Sequence, residues 1–357
     1  MKWTTLLFPV LAVAHTTTTT TTTRTISTSH VASHVIYSYP GVQPPSDLLD
    51  LISQGKVGGL ILFGENVDDN LPATIQSLQD AYASSPAYLG TPLLIMTDQE
   101  GGEVVRLPGG PALSAKQVGA SANPAKTASQ TGAQAAAVLA KYHNNANLAP
   151  VLDVYREKGD FEDRYQRSYG NTSALVSECA TAFITAQQKA GVIATGKHFP
   201  GLGAAGADEN TDVLPVSIGL DLETLREVDE APYKAAIAAG LEMVMASWAV
   251  YPAVDKKPAG LSTTWIQGEL RGRLAFKGVT ITDAIEAGGL TGYGNDAERG
   301  VLATQAGMDL ILAAARNVTQ GEAIVDALVQ GLQSGNINGE AFDAATARIL
   351  DLRKKYA

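Results

Sequence analysis

The sequence predicts an α/β fold, a single parallel (β/α)8 barrel of the TIM type, on three observations. Eight short β-branched apolar runs recur along the chain. Longer Ala/Leu/Glu-rich stretches of helical character separate them, and no break in composition marks a second domain. The runs are continuously apolar rather than alternating, as parallel strands covered by helices require. A doubly wound open sheet is the alternative, but no Gly-x-Gly-x-x-Gly or phosphate loop follows any run.

Taken in order, Met1–Ala14 (MKWTTLLFPVLAVA) carries one lysine, a short apolar run and an Ala-x-Ala-like ending, which is the pattern of a secretory signal peptide. Residues 15–30 follow as a Thr/Ser-rich linker with eight threonines in a row, Thr16 to Thr23; it has no apolar face to bury and suits O-glycosylation. The barrel is assigned to residues 31–357. Its strand runs are His34–Tyr39, Gly59–Phe63, Leu93–Asp98, Asn147–Asp153, Val192–His198, Met243–Trp248, Val279–Ala284 and Leu310–Ala314. Helical stretches include Thr127–Tyr142, Ser173–Lys189, Leu222–Ala239, Thr319–Leu332 and Glu340–Tyr356.

Composition narrows the function. Lys+Arg 26 against Asp+Glu 36 gives a formal charge of −10, which leaves no basic surplus for coating nucleic acid. After the leader, no stretch approaches the roughly 20 apolar residues of a membrane span, so the expected product is an exported protein with no membrane partner. Cys179 is the single cysteine and excludes an internal disulfide; in its Ala-rich helical stretch it reads as a small buried hydrophobe. The five histidines are scattered, with no His-Glu-x-x-His pair, so no metal site is expected. Asn-x-Ser/Thr triplets at Asn171 and Asn317 fit a secreted glycoprotein.

Barrel chemistry sits at the C-terminal ends of the strands. There the runs end in Asp98, Asp153, Lys197–His198, Ser247–Trp248 and Asp283. One such aspartate is readily a helix cap, whereas a ring of them beside lysine, histidine and arginine suits a sugar cup, where charged groups grip hydroxyls and an aromatic face covers the ring. Trp248 is placed in that cup, with core packing as its alternative; Trp265 is read as helix packing. Lys197–His198 has its own alternative, a buried strut under the mouth. Glu286 reads as a first-turn acid favoured by the helix dipole.

At these same residues the sequence resembles glycoside hydrolase family 3, specifically its single-barrel β-N-acetylglucosaminidase type. The matching segments are GGLILFGENV (58–67), PLLIMTDQEGGEVVRLPG (92–109), NLAPVLDV (147–154), RSYG (167–170), TGKHFPGLG (195–203) and FKGVTITDAIEAGGL (276–290). The resemblance implies a retaining β-glycosidase without cofactor, with Asp283 as nucleophile. It further implies that Asp98, Arg106, Arg167, Lys197 and His198 grip the terminal sugar.

Two positions depart from that family pattern. Where the branch carries an Asp-x-His pair as acid/base, the loop GLGAAGADENTD (201–212) keeps Asp208 but has Asn210 in place of the histidine, and Glu103 replaces an arginine after DQEGG. Asparagine does not shuttle protons near neutral pH. Asp208 is the expected substitute, with Glu209 as its neighbour in that role. A weak hydrolase relying on Asp283 alone, a β-glucosidase-like specificity and a non-catalytic carbohydrate-binding barrel are the other readings.

Overall fold

The computed structural model describes residues 1–2 and 26–357. The leader reading at 1–14, apart from its first two residues, and the threonine run therefore lie outside the described residues. No helix among the described residues is long and apolar enough to cross a membrane.

Eight strands close into a barrel: β1 (Val35–Tyr37), β2 (Gly59–Ile61), β3 (Leu94–Thr97), β4 (Ala146–Asn147), β5 (Ile193–Phe199), β6 (Met243–Ala246), β7 (Val279–Ala284) and β8 (Leu310–Leu312). The strands pair in parallel in sequence order, and β1 closes onto β8 through Val35–Ile311 and Ile36–Leu312. Seven lie within the predicted runs or overrun them by one residue, and β4 shares only Asn147 with the fourth run. The barrel interior is packed by Ile36, Leu94, Met96, Ile193, Met243 and Ile281, among others, while a larger apolar layer lies between the strands and the outer helices.

Two elements differ from expectation for a shared reason. The fourth run was expected to pair throughout, yet β4 ends at Asn147, because Pro150 has no N–H to donate to the ladder. The chain nevertheless stays beside β5 through a bridge from Val151 to Lys197. The predicted helix Leu222–Ala239 is broken into Leu222–Thr224, a wide turn at Leu225–Asp229 and Ala231–Ala238, with Pro232 starting the last piece. A short hairpin, Gln99–Gly101 against Val104–Val105, is added after β3.

The last helix, Gly339–Lys355, crosses the N-terminal ends of the strands. Ile349 and Leu352 join the barrel interior. Arg348 is paired with Asp309 just before β8 at 2.7 Å, and His34 just before β1 meets Thr346 Oγ1 at 2.7 Å. Cys179 and Trp265 are both buried, as read from the sequence.

Outside the barrel, helices Pro124–Lys141 and Ser173–Lys189 pack closely at Gly132, where an added Cβ would lie 2.4 Å from the Phe183 carbonyl oxygen. Gly132→Ala is expected to force these helices apart and destabilise the fold by about 1–3 kcal/mol. The expected readout is a lower urea or thermal midpoint, and an unshifted midpoint contradicts the packing described.

Candidate active site

The strands deliver their C-terminal ends to one cavity of about 460 Å³, within the range of about 300–1,000 Å³ typical of small-molecule sites. Asp98, Arg106, Arg167, Lys197, His198 and Asp283, all singled out in the sequence, line it. Wider surface grooves exist elsewhere, but the one between helices Pro124–Lys141 and Ser173–Lys189 is lined mostly by Ala, Ser and Thr and has no converging ion pairs among the described residues.

The floor of the cavity is a network of ion pairs. Lys197, whose side chain is 3 % exposed, lies 2.6 Å from Asp98 Oδ1 and 2.7 Å from Glu100 Oε1. Arg167 grips Glu100 with a fork, Nε to Oε2 at 3.0 Å and Nη2 to Oε1 at 2.8 Å, and its Nη1 donates to Glu162 Oε1 at 3.1 Å. Burial opposes ionisation of Glu100, but Arg167 and Lys197 outweigh it and hold the carboxyl well below the usual range. Burial likewise works against the charges on Lys197 and Arg167, and their carboxylate neighbours more than restore them.

Beneath the floor, Asp153 holds His198. Its Oδ2 lies 2.8 Å from Nδ1, while Oδ1 accepts the His198 and Leu202 amides at 3.2 and 2.7 Å. Burial depresses the imidazole and Asp153 reverses the effect, so the His198 pKa is raised. Gln99 orders the hairpin: its Oε1 accepts the Arg106 and Leu107 amides at 3.1 and 3.0 Å, fixing the backbone from which Arg106 enters the cavity. Asp283 is the next-to-last residue of β7, and its Oδ1 accepts the Ala284 amide at 2.7 Å.

Three expectations are corrected or extended. Trp248 is not a sugar platform: it is fully buried, donates Nε1–H to the Ala284 carbonyl at 2.9 Å and packs over Gly260. Asp208 stands outside the cavity with its side chain 97 % exposed, 3.2 Å from Arg164. The reason is local. Glu209 accepts the Gly206 amide at 2.6 Å, curling residues 206–209 outward, and Asn210 and Asp212 return to the cavity wall. Sequence reasoning missed Glu100, although it lies inside the DQEGG segment, and Asp212, which closes the same loop. It missed Glu162 altogether, which follows no strand run. Glu286 bonds to the Ala314 amide and to Gln320, off the cavity.

Among the described residues, Asp153, Glu162 and His198 bring ligand-type atoms within 4.8 Å of one another. Asp153 is committed to His198 and Glu162 to Arg167, and the guanidinium opposes a further cation there.

With this geometry in view, the sequence profile described as the glycosyl hydrolase family 3 N-terminal domain matches residues 38–352. The chain belongs to glycosyl hydrolase family 3. It is therefore a glycoside hydrolase. Among its relatives, an uncharacterized secreted glycosyl hydrolase of Arthroderma benhamiae is 54 % identical over 325 residues, 91 % of this chain and 92 % of the other. A family 3 β-N-acetylglucosaminidase from Paenibacillus sp. superposes with a TM-score of 0.86 at 33 % identity, covering 93 % of this chain and 63 % of that one. A β-N-acetylhexosaminidase from Beutenbergia cavernae has a TM-score of 0.82 at 31 % identity, covering 92 % of this chain and 99 % of that one. The likeness to family 3 β-N-acetylhexosaminidases thus spans the whole barrel.

Glu162 gives the site a testable pH signature. Burial first, then the neighbouring Asp153, against the pull of Arg167, raises its carboxyl from the ordinary 4.5 to about 7. Between those values the native state keeps a proton that the unfolded chain releases, so this group lowers stability as pH rises. Glu162→Gln has no such proton. Its melting temperature relative to the unsubstituted protein is expected to climb from pH 4.5 to pH 7, and a constant difference across that window refutes the assignment.

Proposed function

We propose that this protein is an exported, retaining exo-β-glycosidase that releases terminal β-linked N-acetylhexosamine, with Asp283 as its nucleophile. The reading rests on one observation: Asp283, at the end of β7, opens into the same cavity as Asp98, Arg167, Lys197 and His198. In such a cup the ion-paired residues hold the sugar hydroxyls and fix the ring, so that a carboxylate oxygen of Asp283 attacks the anomeric carbon at short range. The aglycone departs, a glycosyl ester forms on Asp283, and water then opens it with net retention. Both steps use carboxyl chemistry and call for no cofactor. A cavity rather than an open groove favours attack at a chain end. The sequence and fold likeness to β-N-acetylhexosaminidases supports the acetamido sugar over glucose. Export is supported by the leader pattern of Met1–Ala14 and by the relative named as secreted.

Asn210, at the place of the family's histidine, favours a second reading: a carbohydrate-binding barrel without turnover. Paired assays on aryl β-N-acetylglucosaminide and aryl β-glucoside, run beside labelling with a mechanism-based fluoroglycoside, separate the alternatives. Hydrolysis of the acetamido substrate and a covalent mass increase at Asp283 are expected, and Asp283→Asn should lower kcat by roughly 10³-fold or more. Tight sugar binding with no label and no turnover favours the binder. Activity that persists in Asp283→Asn overturns the nucleophile.

A further inference from the structure

Besides Asp283, four carboxyl groups line the cavity: Asp98, Glu100, Glu103 and Asp212. Lys197 engages Asp98 and Glu100, and Arg167 also holds Glu100, so these two act as fixed acceptors under the sugar. Glu103 sits in the turn of the hairpin after β3, remote along the chain from the nucleophile strand. Asp212 is placed differently.

The loop after β5 is fastened to the loop that leaves the nucleophile strand β7. Gly288 donates its amide to the Asp212 carbonyl at 2.8 Å, and Gly289 donates to the Thr211 carbonyl at 2.8 Å. The approach is so close that a Cβ on Gly288 would lie 2.0 Å from the Val213 carbonyl oxygen, which leaves room for glycine alone. Asn210 completes the turn by accepting the Asp212 amide on its Oδ1 at 2.9 Å. The asparagine in the histidine's position thus orients the aspartate two residues on. The Asp212 side chain itself has no hydrogen bond or ion pair among the described residues and is free to meet a ligand.

We propose that Asp212 is the general acid/base of this site, held beside Asp283 by the Gly288–Gly289 contact and the Asn210 turn. The assignment rests on the glycosidase reading above. In the first step the Asp212 carboxyl gives its proton to the glycosidic oxygen as the C1–O bond breaks and an Asp283 oxygen bonds to C1. In the second step the Asp212 carboxylate takes a proton from water as the water oxygen bonds to C1 and the Asp283 ester breaks. One water is consumed and both carboxyl groups return to their starting states. Although Asp212 reaches solvent, surrounding protein first, and then the Asp283 charge, raise its pKa; His198 and Arg167 oppose this rise and Asp98 adds to it. A carboxyl that keeps its proton to higher pH suits the role of acid.

The test is Asp212→Ala, assayed on a glycoside with a poor alkyl leaving group and on a dinitrophenyl glycoside, with and without azide. On the alkyl glycoside kcat/KM is expected to fall by roughly 10²–10⁴-fold, while the activated substrate still forms the Asp283 intermediate. Azide should then restore turnover and yield the β-glycosyl azide. The alkaline limb of the kcat/KM profile should disappear on the activated substrate. Fluoroglycoside labelling of Asp283 in this variant, with an unchanged melting temperature, shows that the fold and the nucleophile are intact. Equal losses on both substrates without azide product, in a variant that still takes the label, overturn the acid/base assignment and leave the nucleophile standing. Azide product from Glu103→Ala in place of Asp212→Ala moves the role to Glu103. Absence of label in the unsubstituted protein overturns both.

Discussion

The site depends on one buried ammonium. Lys197 lies at the mouth end of β5 with its charge shared between Asp98 and Glu100, and Glu100 in turn is clamped by Arg167. Removing one member of such a network leaves an uncompensated buried charge, at a cost of about 3–5 kcal/mol, so the four side chains are held as a unit. They come from three separate segments of the barrel. Their mutual attraction therefore fixes the relative positions of the strand ends as well as the shape of the cup, so the donors and acceptors that line it are already oriented.

Much of this arrangement was legible in the chain. Parallel strands buried on both faces advertise themselves as apolar runs, and seven of the eight did so, β4 meeting its run only at Asn147. Their ends carried Asp98, Lys197, His198 and Asp283, which line the cavity, because barrel geometry converts strand-end positions into one mouth. Legibility failed where backbone hydrogen bonding or a tight turn decided the outcome. Pro150 and Pro232 interrupt a ladder and a helix that apolar pattern alone would continue. Trp248 shows the limit for side chains: a strand-end indole looks the same in sequence whether it turns to the cavity or to the core, and the Ala284 carbonyl settles it toward the core.

The loop after β5 illustrates the same limit more sharply. Counting along the sequence favours Asp208, the residue two before Asn210. The folded loop reverses that order, because the Glu209 side chain closes a turn on Gly206 and carries Asp208 out to Arg164, whereas the backbone bonds to Gly288 and Gly289 bring Asp212 in. The bonds to Gly288 and Gly289 join residues 76 and 78 positions apart and leave no local pattern. The glycine pair is what lets the two backbones touch there.

The placement of the last helix bears on how the molecule is made. His34 and Thr346, 312 positions apart, meet beneath the barrel, and Ile349 and Leu352 fill its interior. A growing polypeptide cannot seal the ring's underside until these final turns have emerged from the ribosome, and non-local closure of this kind is slow. Throughout synthesis the nascent chain therefore lacks the contacts that close the barrel from below.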